Sequence, residues 1–119
     1  MPESIRLYLL HHAEAVRPDD PSAPLSPRGE AQVRALAAFL EKSGPPAVER
    51  VWHSPWAAPR ETTDRLCDHL GIAATRREIA GLLPGAEVRG IARRLSGFGY
   101  PLMVVGHMPH LGRLVSVLV

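Results

Sequence analysis

Histidines mark the ends of three apolar runs in this chain: His11 and His12 close "LYLLHH", His53 precedes Ser54 in "ERVWHS", and His107 and His110 lie in "VVGHMPH". Imidazole has an unperturbed pKa of about 6.5, so it changes charge near neutrality. A neutral ring can attack phosphorus, and a protonated ring can hold charge on a transferred phosphoryl group. Histidines at strand ends can equally be hydrogen-bonded core or surface groups, or metal ligands. What separates these readings is whether the fold brings the rings together.

The surrounding pattern predicts elements that would do so. Residues 5–11, "IRLYLLH", carry hardly a polar break after Arg6 and suit a central strand buried on both faces. A proline-marked loop follows, and then Ser26 as N-cap with Pro27 at the first helical position. Val33, Leu36, Ala37 and Leu40 give that helix one apolar face ending near Gly44-Pro45. A second strand is expected over 47–53. Pro59 is expected to open a second helix, with Thr63, Leu66, Cys67 and Leu70 inward before Gly71. Residues 72–79 form a weaker strand pattern, 86–96 a third helix, 101–106 a further strand, and "LGRLVSVLV" the start of a fourth helix.

This alternation predicts a three-layer α/β fold, a mostly parallel sheet with helices on both faces. Ligands in such sheets bind beyond the carboxyl ends of the strands, where the histidine runs fall. The 119 residues have the length of one domain, 1–119. No apolar run approaches a membrane span, and net charge is only +2, so neither membrane nor nucleic acid is an expected partner. The pairs Arg76-Arg77 and Arg93-Arg94 lack interleaved aromatics and read as solvated faces. One cysteine, Cys67, and no signal-peptide pattern fit a reducing cytoplasm.

The segments "LLHHAEA", "PLSPRGEAQ", "ERVWHSPWAAPRETT" and "VVGHMPHLG", in this order, resemble the histidine phosphatase superfamily, with its phosphoglycerate mutase-like fold, and in particular its small phosphohistidine phosphatase (SixA-like) branch. The resemblance implies hydrolysis through a phosphohistidine intermediate, with no metal or other cofactor. It places His12 at the nucleophile of the family's Arg-His-Gly motif and His107 at the second catalytic histidine. Ala13 stands at the motif's glycine, Glu14 at a commonly acidic position, and Ser54 at the serine of Ser-Pro-x-x-Arg-Ala. Glu87 falls near where some members carry a general acid, although an exposed residue in a helix's first turn is the plainer reading. The implied partner is a phosphorylated protein, carrying phosphohistidine, or a small phosphoester.

Two departures bear on activity. His11 replaces the arginine of the first motif, and Ala58 replaces the second phosphate-binding arginine. Guanidinium grips phosphate with a permanently charged fork, imidazole has two diverging donors, and alanine has none. An arginine of this kind can contribute roughly 10³ to 10⁵ in rate. His11 itself, when protonated, is one candidate substitute, and with Ser54, Arg17, Arg28 and Arg60 makes up the candidate phosphate-binding set; Arg60 qualifies only if Pro59 delays the helix start, because two residues turn a helix by about 200°. Three readings therefore stand: a phosphatase, a catalytically impaired binder of phosphate or a phosphoprotein, and a metal site built from His11, His12, His107 and His110. The last is weakened because adjacent strand residues point to opposite faces. The resemblance also implies a further strand beyond "LVSVLV", so either the chain is shortened or a sheet edge is left for a partner or second copy to cover.

Overall fold

The computed structural model describes residues 6–119, so the expected strand start at Ile5 lies outside the described residues. Four strands, β1 (Leu7–His11), β2 (Arg50–His53), β3 (Thr75–Glu78) and β4 (Leu102–Gly106), form one parallel sheet in the order β1-β4-β2-β3. They alternate with helices α1 (Pro27–Ser43), α2 (Ala57–Leu70), α3 (Val88–Ser96) and α4 (His110–Leu118); a 3-10 turn, Ala80–Leu82, follows β3. Among the described residues no helix is long and apolar enough to cross a membrane.

Side chains alternate across each strand, which divides the core in two. Val51, Met103 and Val105 pack beneath α1 and α2 with Val33, Ala37, Leu66 and Cys67. Trp52, Leu102 and Val104 face the other way, onto Ile91, Leu95, Leu111 and Leu114 of α3 and α4. The three-layer α/β architecture follows from this alternation, and Cys67 is buried and unpaired.

Local signals set the helix ends. Ser26 accepts a hydrogen bond from the Gly29 amide and caps α1, with Pro27 behind it where a missing N–H costs nothing. Gly71 ends α2 at φ 66°, the left-handed conformation that glycine adopts freely. α2 starts at Ala57, two residues before Pro59. Pro59 is the third helical residue, still among the amides with no intrahelical acceptor, so it did not need to open the helix.

Strand placement differs from expectation in one respect. β1 lies at an edge of the sheet among the described residues, with both its end residues exposed, whereas all five residues of β4 are buried. An apolar run shows that a strand can be buried; pairing order decides whether it is central. β3 is exposed throughout, and its Arg76 reaches Asp64 of α2 at 2.6 Å.

Candidate active site

Parallel pairing brings three strand ends to one place. His11 is in register with Gly106, the residue before His107, and the His12 amide donates to the Gly106 carbonyl at 3.0 Å. His53 pairs with Val105, and the Ser54 amide donates to the Val105 carbonyl at 3.1 Å. Residues 12, 54 and 107, distant in sequence, thus become neighbours at the carboxyl edge of the sheet.

The His12 and His107 ring centroids are 4.9 Å apart and nearly perpendicular, and those of His11 and His12 are 4.7 Å apart. His12 Nδ1 lies 2.7 Å from the Ala13 carbonyl. A carbonyl can only accept, so Nδ1 carries the proton and the lone pair of neutral His12 is on Nε2. His107 Nε2 lies 2.7 Å from Ser54 Oγ, both residues being buried. Ser54 Oγ also accepts from the Trp56 amide at 3.3 Å, and the Trp56 ring stands 4.9 Å from that of His107. Burial, followed by the neighbouring charges of His12, His11 and His110, pushes the His107 pKa down to about 4. Burial and then His12 lower that of His11.

The histidines open into a cleft of about 480 Å³, lined also by Glu14, Ala15, Pro18, Asp19, Gln32, Trp56, Pro84 and Met108. The loop after β1 is fastened to α1. Ser26 Oγ donates to the Glu14 carboxylate at 2.7 Å, the Glu14 amide donates to Gln32 Oε1 at 2.9 Å, and the Ser26 amide donates to the Glu14 carbonyl at 2.9 Å. The Ala13 amide donates to Thr62 Oγ1, which in turn donates to the Ala58 carbonyl. The two residues after His12 are therefore tied to α1 and α2.

Among the described residues no arginine or lysine lines this cleft. Arg17 is turned to Asp20 at 2.9 Å, Arg28 lies 3.7 Å from Glu14 on the exposed side, and Arg60 is exposed in the first turn of α2. The delayed helix start that would have recruited Arg60 does not occur, and Ala58 is buried. Glu87 does not line the cleft either; its carboxylate accepts from the Arg89 and Gly90 amides and caps α3. His53 and His110, whose positions in the sequence fit either the rim of the crevice or partial solvent exposure, are instead buried and outside its lining. No group of three or more His, Cys, Asp or Glu among the described residues is placed to hold a metal ion.

Gln32, Trp56 and Asp19 line the cleft and were not singled out from the sequence. Trp56 follows Ser54-Pro55 directly, and Gln32 stands one helical turn after Gly29, so proximity to the motifs was the available signal.

The model of the histidine phosphatase superfamily, branch 1, matches residues 7–80. The chain belongs to this superfamily. No curated protein matches the sequence closely enough to count as a relative. Solved structures of the superfamily's SixA proteins share the fold. The protein histidine phosphatase SixA in complex with tungstate has a TM-score of 0.82 at 23% identity, covering 92% of this chain and 74% of that one. A protein assigned to the SixA phosphohistidine phosphatases, from Nakamurella multipartitia, has a TM-score of 0.72 at 30% identity, covering 96% and 66%. Another from Agrobacterium tumefaciens has a TM-score of 0.75 at 22% identity, covering 98% and 77%. This chain thus spans two thirds to three quarters of the length of these histidine phosphatases.

Proposed function

We propose that the chain is a phosphohistidine phosphatase working through a phosphohistidine intermediate on His12. The observation that carries this reading is the pairing of His12 and His107 at 4.9 Å over the cleft, with His12 Nδ1 held by the Ala13 carbonyl so that Nε2 is the nucleophilic nitrogen. The names of the SixA neighbours support the substrate class.

In the first step Nε2 of His12 bonds to phosphorus while the bond from phosphorus to the substrate nitrogen breaks. A phosphorylated imidazole protonated on its other nitrogen leaves as neutral imidazole, so the step needs no separate acid. That suits a cleft from which Glu87 is absent. In the second step water attacks phosphorus, the bond to His12 breaks, phosphate leaves with the oxygen of water, and His12 returns to its starting state. His107, seated on Ser54, is placed beside the group in transit, where a hydrogen-bond donor stabilises developing charge.

The test is phosphate release from a phosphohistidine-bearing protein, wild type beside His12→Ala, at pH 6 and pH 8. Turnover that disappears in the variant supports the proposal; intact substrate after prolonged incubation with wild type rejects it. A second reading, a binder of phosphate or a phosphoprotein without turnover, is favoured by a cleft lining that has no arginine among the described residues. It predicts retention of a phosphohistidine peptide with no phosphate release.

A further inference from the structure

Charge must come from somewhere to hold a phosphoryl group, and this cleft has an unusual supply. Its described lining contains three imidazoles, no lysine or arginine, and the carboxylates of Glu14 and Asp19. Glu14 is engaged by Ser26 and faces Arg28, and Arg17 is turned to Asp20, so neither nearby guanidinium is delivered to the cleft. On its other sides His11 opens onto Gln32 of α1 and Thr62 of α2, and onto Leu9, Met108, Leu111 and Val115. From α4, His110 adds a like charge near His107, and Arg113 acts on His110. Among the described residues no permanent cation faces the cleft to balance a dianion.

We infer that the cleft takes up a proton together with the phosphoryl anion, and that His11 is the residue that receives it. The choice among the three rings is geometric. His12 Nδ1 is committed to the Ala13 carbonyl and its Nε2 must stay unprotonated to attack. His107 is buried with Nε2 on Ser54, the most costly place for an added charge. His11 is exposed at the end of β1, makes no side-chain hydrogen bond among the described residues, and stands 4.7 Å from the nucleophile's ring. An anion bound within a few ångströms of an imidazole favours its charged form, an effect worth roughly 1 to 3 pKa units in comparable pairs. Without an anion, partial burial of its ring and then the charge of His12 hold His11 below its ordinary value, so it is neutral at pH 7 until the anion arrives.

The position that His11 occupies was expected to carry arginine, which is charged at every pH. Imidazole makes the charge conditional: grip and release of phosphate become linked to proton traffic. Above the free pKa and below the bound one, each unit fall in pH strengthens dianion binding by about tenfold, and outside that window the dependence vanishes.

This inference rests on the phosphatase reading only for its location, and is tested by binding alone. Sulfate keeps two charges throughout pH 6 to 8 and cannot supply the proton itself. Isothermal titration of the full chain with sodium sulfate at pH 6.5, in PIPES and in bis-Tris, should give heats that differ by the buffers' ionisation heats, reporting net proton uptake. Affinity should fall as pH rises from 6 to 8, by at most about tenfold per unit, and His11→Arg should hold its affinity within about twofold over the same range. Equal heats in both buffers, an unchanged pH slope in His11→Arg, or no sulfate binding at any pH would each overturn it. A chain that binds sulfate with proton uptake yet releases no phosphate would reject the proposed function and leave this inference standing.

Discussion

His107 Nε2 and Ser54 Oγ meet at 2.7 Å inside the protein, across the join between the ends of β4 and β2. The serine backbone is itself fixed, its amide on Val105, and its oxygen accepts from the Trp56 amide. With that lone pair used, the hydroxyl hydrogen is available to neutral His107, and the same oxygen can accept if Nε2 carries the proton. Ser54 is therefore an orienting partner in either state of the ring.

Ser54→Ala should leave His107 Nε2 buried without its partner. Such a loss costs about 1 to 3 kcal/mol, or roughly 5- to 150-fold in turnover if it falls on the transition state. The measurement is phosphate release at pH 7 together with a melting curve. A turnover equal to wild type would remove Ser54 from the site.

Sequence patterns went far here because both the layers and the site follow from residues close to the motifs. "LLHH", "VWHS" and "VVGH" each end a strand, and a parallel sheet aligns strand ends. What escaped the sequence was determined by pairing and packing. The runs "LYLLH" and "LMVVG" look alike in hydropathy, yet β1 is at an edge and β4 central. Arg60 lay within a motif and Glu87 near where some superfamily members carry a general acid, but the helix start at Ala57 and the cap on α3 took them elsewhere. His53 follows a strand and His110 lies three residues after His107, which puts both near the crevice in sequence, and only tertiary packing shows both to be buried.

Gly29 is where α1 meets the loop that follows β1. A Cβ there would lie 2.1 Å from the Glu14 carbonyl oxygen, a backbone atom tied to the Ser26 amide and unable to move alone. Gly29→Ala should destabilise the protein by about 3 kcal/mol, and should lower turnover as well by displacing the loop from His12. Urea denaturation reads the first effect. Unchanged stability would mean that α1 can slide away without loss.

Glu87 should matter to stability and not to chemistry. Its carboxylate caps α3 through the Arg89 and Gly90 amides, so Glu87→Ala should cost about 0.5 to 2 kcal/mol while turnover stays near wild type. A general acid would instead contribute roughly a hundredfold or more to rate. A drop of that size with an unchanged melting curve would restore Glu87 to the reaction.

His110 offers the sharpest test of what burial does to an imidazole in this fold. The residue is fully buried at the start of α4, and neither ring nitrogen has a well-formed hydrogen bond, although the Gly81 backbone is close enough to favour protonation weakly. Burial first, and then the charge of Arg113, lower its pKa, and the His107 value falls to about 4. The unfolded chain, with histidines near 6.5, therefore binds more protons than the folded one as pH falls below that value. Stability is fully present above about pH 6.5 and is lost progressively toward pH 4. His110→Leu removes two unpaired polar atoms at similar volume, and should stabilise the protein by about 1 to 3 kcal/mol at pH 7. Its loss of stability between pH 7 and pH 5 should also be smaller than that of wild type. Denaturation curves at the two pH values decide the matter: a variant less stable than wild type at pH 7, with the same pH dependence, would mean that His110 is held by a bond its surroundings do supply.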